Sequence, residues 1–187
     1  MPKIPEYPEF AKHPRIPSLV ALRWLIYVSI IVVIAPILWM WLDPNSYSYL
    51  NTNVLVERFG GFEGLVWWQR ILGFLITLIP GLLFTTALCA LLPLIRSAES
   101  GNWFDASSER YCIRAGKLLL WHAFANWISQ TLLVIVLTSS NASGERVLML
   151  SIRSDDLLGL IPALMALAIA HMMRVGREQR EELNEIV

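Results

Sequence analysis

Two stretches of this chain, Ile71 to Ile95 and Leu118 to Leu137, run without a single Asp, Glu, Lys or Arg. A helix apolar on every side has no face to offer water. A hydrocarbon core of roughly 30 Å is crossed by about 20 helical residues, each rising about 1.5 Å. Two more stretches complete the set: Leu19 to Leu42, interrupted only by Arg23 near its start, and Leu157 to Met173, the shortest, with His171 near its end. The expected fold is all-α, a four-span transmembrane helical bundle with spans at about 19–42, 71–95, 118–137 and 157–173. Residues 1–18 form a Pro-rich strap ahead of this 19–173 membrane domain, and 174–187 a charged helical tail after it. Composition agrees, since 56% of the residues are hydrophobic and only 16% charged, against about 45–50% apolar residues in soluble domains.

Fifteen Lys and Arg balance fifteen Asp and Glu, so no net basic field exists to hold a nucleic acid, and charge is informative only by position. Lys and Arg flanking membrane spans are retained on the cytoplasmic side. With the N-terminus inside, eleven of the fifteen fall in cytoplasmic segments, leaving Arg58, Arg70, Arg146 and Arg153 outside. Both termini are therefore expected in the cytoplasm. The tryptophans divide accordingly, Trp39, Trp41, Trp67 and Trp68 to the outer interface, Trp24, Trp103 and Trp121 to the inner, with Trp127 at mid-depth. Prolines at 2, 5, 8, 14 and 17 exclude a helix from most of the N-terminal strap. No cleavable signal peptide is read there, so the first span is expected to stay as an anchor. The outer loops hold two β-leaning segments, "NVLV" and "VLMLSI", which could pair as a small extracytoplasmic cap.

The connector "GNWFDASSERYCIRAGKLLL" turns at Gly101 and Asn102 and starts a helix capped by Asp105 or Ser107, with Glu109 favouring the positive end of its dipole. Arg110, Arg114 and Lys117 then share a face suited to anionic headgroups or a partner, and bilayer begins at about Leu118. The third helix is expected to be one continuous rod. Inside its span, His122, Asn126 and Gln130 recur every four residues and so share a face. They read as interhelical hydrogen-bond glue, or as the polar path of a small transporter or channel subunit. Pro80, Gly81 and Pro93 with Thr77, Thr85 and Thr86 in the second span read as kinks healed by threonine hydroxyls. In the fourth, Gly159, Ala163, Ala166 and Ala170 provide a groove for close packing.

After Met173 the chain continues "RVGREQREELNEIV": Arg174 and Arg177 suit the headgroup boundary, while Glu178, Glu181, Glu182 and Glu185 form an acidic patch able to dock a partner or the basic connector. Phosphate loop, HExxH, nucleophile elbow and CxxC patterns are all absent, so no enzyme, cofactor or metal is expected. His122 and His171 lack a third ligand.

Gly101, Phe104, Asp105, Arg110 and Gly116 in the connector, with Arg174, Gly176, Glu182 and Val187 in the tail, resemble the bacterial membrane-protein family called domain of unknown function 2975. Ser108 stands where that family usually has Asn, and Gln179 where it has Leu. The resemblance implies a four-span membrane protein, in some bacteria encoded beside a small helix-turn-helix regulator, with no catalytic residues to carry over. The functional expectation is an integral membrane protein that acts through interactions with the bilayer, with protein partners in membrane or cytoplasm, or with a second copy of itself as a homo-oligomer.

Overall fold

The computed structural model describes residues 17–43, 65–99, 106–139 and 159–186. They form four helices and no strand: α1 (Pro17–Leu42), α2 (Trp67–Glu99), α3 (Ala106–Thr138) and α4 (Leu160–Ile186). All four are long and apolar enough to cross a membrane. The strap, the connector turn with Trp103 and Asp105, and both outer loops with their cap segments lie outside the described residues.

Each helix packs antiparallel on its neighbour in chain order, α1 on α2, α2 on α3 and α3 on α4, and α1 has no substantial contact with α4. The chain is thus a folded row of helices. Its exposed faces are apolar: Leu22, Leu25, Ile31 and Val32 on α1 and Leu164, Met165 and Ile169 on α4 are all exposed. In water such faces would be an aggregation surface; in a bilayer they are simply the side that meets lipid.

α1 opens on Pro17, whose fixed φ and missing N–H suit a first helical position. Val33, Pro36, Ile37, Met40 and Trp41 recur at three- and four-residue steps and so lie along one face. Trp41 is buried, in a cluster with Met40, Leu133 and Leu137. Gly73 makes this possible, because a Cβ there would overlap the Trp41 ring. Gly81 does the same more loosely for the Ile37 tip, and Gly116 for Leu167. The seated indole donates from Nε1 to Thr77 Oγ1 at 2.9 Å.

The α2–α3 register is fixed by side-chain hydrogen bonds. Gln69 meets Val136 and Ser139, Ile76 meets Ser129, and Ser97 meets Ser108. By the same register Ile71 and Ile95 lie level with about Val134 and about Arg110. The apolar stretch of α2 thus stands beside α3 from about Arg110 to about Val134. α4 agrees, since Ala163 and Leu167 pack at Gly116 and Ala166 at Cys112. Beside that stretch the long stems of Arg110, Arg114 and Lys117 can carry their charges toward headgroups from deeper Cα positions.

α3 is continuous from Ala106 to Thr138. Ser107 therefore sits in its first turn, not at the cap. Two glycines provide a test of the packing. Gly73→Ala should destabilise the protein by about 1–3 kcal/mol, the usual cost of overpacking, because the rigid indole must move and lose Thr77. Gly81→Ala should cost less, since only the end of Ile37 must turn. Unfolding in mixed detergent, followed by tryptophan fluorescence, reads both.

Candidate functional site

The polar groups within the helix row gather in three places, which we take from the end where α2 begins, called distal, to the end where α1 begins, called proximal.

At the distal end Gln69 is completely buried. It is the third residue of α2, so its Oε1 reaches back to accept the Val66 N–H at 2.9 Å, capping the helix. Its Nε2 donates to the Val136 carbonyl at 2.9 Å and to Ser139 Oγ at 3.2 Å. One side chain thus closes the start of α2 and fastens it to the end of α3.

At mid-depth the seam is organised around Pro80. Proline has no N–H, so the Ile76 carbonyl loses its usual partner within α2. Ser129 Oγ donates to that carbonyl from α3 at 3.1 Å. Threonine hydroxyls were the expected repair, but Thr77 bonds the Gly73 and Phe74 carbonyls, and Thr85 and Thr86 both bond that of Leu82. One turn along, the Pro80 carbonyl lies 2.9 Å from His122 Nδ1. A carbonyl only accepts, so Nδ1 carries the proton. The imidazole is also held against Phe84, with ring centroids 5.1 Å apart.

His122, Asn126 and Gln130 are half-buried and line a cavity of about 370 Å³ between α1, α2 and α3. Thr77 and Ser129 add hydroxyls to its wall, and Val33, Ile37, Met40 and Leu133 an apolar side. On α1 the lining runs from Val33 to Trp41, about 12 Å of helix at about 1.5 Å per residue. On α3 it runs from His122 to Leu133, about 17 Å of helix by the same rise. Trp127, beside the stripe, has a buried Nε1 with no hydrogen-bond partner among the described residues.

No protein-family model, curated protein or solved structure matches this chain. Its sites are therefore read from their own chemistry.

The proximal site was hidden in the sequence. Glu109, in the first turn of α3, is buried, and its Oε1 takes a hydrogen bond from Arg174 Nε at 2.8 Å. Arg177 Nη1 lies 3.2 Å from its Oε2, and Arg177 Nε 3.6 Å from Glu181 of its own helix. A carboxylate removed from water needs such compensation. Around it Ser108 donates to Ser97, and the Cys112 thiol lies 3.4 Å from the Ala166 carbonyl. Two arginines of the tail thus hold a carboxylate of the connector. Arg110, Arg114 and Lys117 face away and are exposed, lining one groove with Ile113, Leu118 and Trp121. Glu178, Glu181 and Glu182 are exposed, and the Glu185 side chain lies outside the described set. His171 is exposed on α4, and no group of three His, Cys, Asp or Glu able to hold a metal occurs among the described residues.

The two sites make separable predictions. Gln69→Leu should cost about 1–3 kcal/mol, the range for orphaning buried hydrogen-bond partners. Glu109→Gln and Arg177→Gln should be non-additive, with a coupling of about 0.5–3 kcal/mol in a double-mutant cycle of unfolding.

Proposed function

We propose that this chain is a non-enzymatic integral protein of a bacterial inner membrane, working as an adaptor: it holds a cytoplasmic regulator or joins a larger membrane complex. The observation carrying this reading is the strut formed by α4. The helix does not stop where its apolar residues stop at Met173 but continues to Ile186. Glu109 of the neighbouring helix clamps it by Arg174 and Arg177 just as it leaves the apolar region. Tying two arginines to one buried carboxylate fixes the direction in which the tail projects. A solubilising tail has no need of that; a platform for another protein does.

The sidedness rests on charge. The end of the row with the start of α1 collects Arg23, Arg96, Arg110, Arg114, Arg174 and Arg177, whereas Arg70 stands at the other among the described residues. Under the positive-inside rule this supports cytoplasmic termini. The transporter reading has in its favour the polar stripe and the cavity that it lines.

Deleting Glu178 to Val187 should leave insertion and folding intact while abolishing recovery of a specific co-purifying protein in mild detergent. Equal recovery by the truncated chain would refute the adaptor reading. For sidedness, Ser48→Cys and Ser143→Cys, each in a background without Cys89 and Cys112, should react with an impermeant maleimide in intact cells. Protection of both would reverse the orientation.

A further inference from the structure

One outward stripe of α3 changes character along its length. Arg110, Arg114 and Lys117 are followed, at the same three- and four-residue steps, by Trp121, Phe124, Ile128, Leu132 and Ile135. All of them are exposed. The three cations line a groove with Ile113, Leu118 and Trp121, and no carboxylate belongs to it. Among the described residues the ion pairs lie elsewhere, made by Arg174 and Arg177 of α4, and Arg110 gives its Nε to the Ala106 carbonyl at 3.2 Å. The cluster is therefore without a counter-charge among those residues. By the α2–α3 register, Arg114 and Lys117 stand beside about Leu91 and about Leu88, within the charge-free stretch of α2. Cations so placed reach away to water or have an anion brought to them. Beyond them, Trp121 to Ile135 offers about 21 Å of apolar stripe at about 1.5 Å per residue. That exceeds one leaflet's share, about 15 Å, of a hydrocarbon core of roughly 30 Å.

We propose that this stripe is a binding site for one anionic phospholipid. Its phosphate accepts charge-assisted hydrogen bonds from the cation cluster, the Trp121 ring lies between headgroup and chain, and one acyl chain follows Phe124, Ile128 and Leu132. Charge complementarity selects this occupant. A zwitterionic lipid brings its own cation to a place that already holds three. A second copy meeting this stripe through a two-fold axis would set the same three cations against these. The lipid site is independent of the adaptor function, which uses the projecting end of α4.

The test is native mass spectrometry of the full chain, released from detergent micelles holding equal amounts of dioleoylphosphatidylglycerol and dioleoylphosphatidylcholine. One phosphatidylglycerol should be retained per chain, favoured at least about tenfold over phosphatidylcholine. Arg110→Gln, Arg114→Gln and Lys117→Gln combined should bring that ratio to about one. Arg23→Gln with Arg96→Gln removes basic charge from the same end of the helix row and should leave the ratio unchanged. If the triple variant fails to accumulate, the wild-type chain in phosphatidylcholine nanodiscs gives a second reading. There, phosphatidylglycerol with a diazirine in one acyl chain should label α3 between Trp121 and Ile135 ahead of the exposed faces of α1 and α4. Equal retention of the two lipids would overturn the proposal. So would a preference that survives the triple variant or is lost equally with Arg23 and Arg96, and so would label spread evenly over the three helices.

Discussion

The helix row depends on hydrogen bonds between α2 and α3. In lipid, apolar side chains gain nothing by leaving hydrocarbon for each other, so helix association relies on close packing and on polar contacts that have no water to exchange with. Gln69, Ser129, His122 and Ser97 supply such contacts from one end of the pair to the other. Individually each is worth on the order of 0.6 kcal/mol, and up to about 1.7. Collectively they fix the register, because sliding α3 past α2 by one residue would break all of them together.

The outer helices attach to this pair by different means. α1 is held by shape: an indole fits over Gly73 and its N–H finds Thr77, while neighbouring residues of α1 line a space left open. α4 combines shape with charge. Its small residues, Ala163 and Ala170, are buried, and Ala163 meets Gly116 of α3, so the helices approach closely through the apolar zone. Beyond that zone, where water and headgroups would pull the arginines away, Glu109 takes over. The two attachments differ in what loosens them, since ionic strength weakens the exposed side of the α4 clamp and has no purchase on the α1 contact.

Much of this architecture was legible in the sequence, because a bilayer imposes length and apolarity so strictly that four spans stand out from composition alone. The polar stripe was legible too, since a four-residue spacing on a helix admits one geometric reading, a shared face. Gln69 was not, as it sits between Trp68 and Arg70 and looks like part of an interfacial border. Its importance comes from Val136 and Ser139, which are distant in the chain. Glu109 was read only in part, for a related reason. An acid in a first helical turn already has a local explanation in the helix dipole, and nothing nearby announces that two arginines 65 or more positions later will fold back to it. Pro80 taught a similar lesson: the need for repair was visible, but the repairing hydroxyl came from another helix.

That last feature bears on how the protein is made. A nascent chain delivers α2 to the membrane before α3, and at that moment the Ile76 carbonyl has neither its N–H partner nor Ser129. Hydrocarbon offers no substitute. The second span is therefore an incomplete object in lipid until the third arrives, and the two form a single unit of biosynthesis, a hairpin that leaves the insertion machinery together. A proline that looks like a defect in one helix thereby ties its maturation to the synthesis of the next.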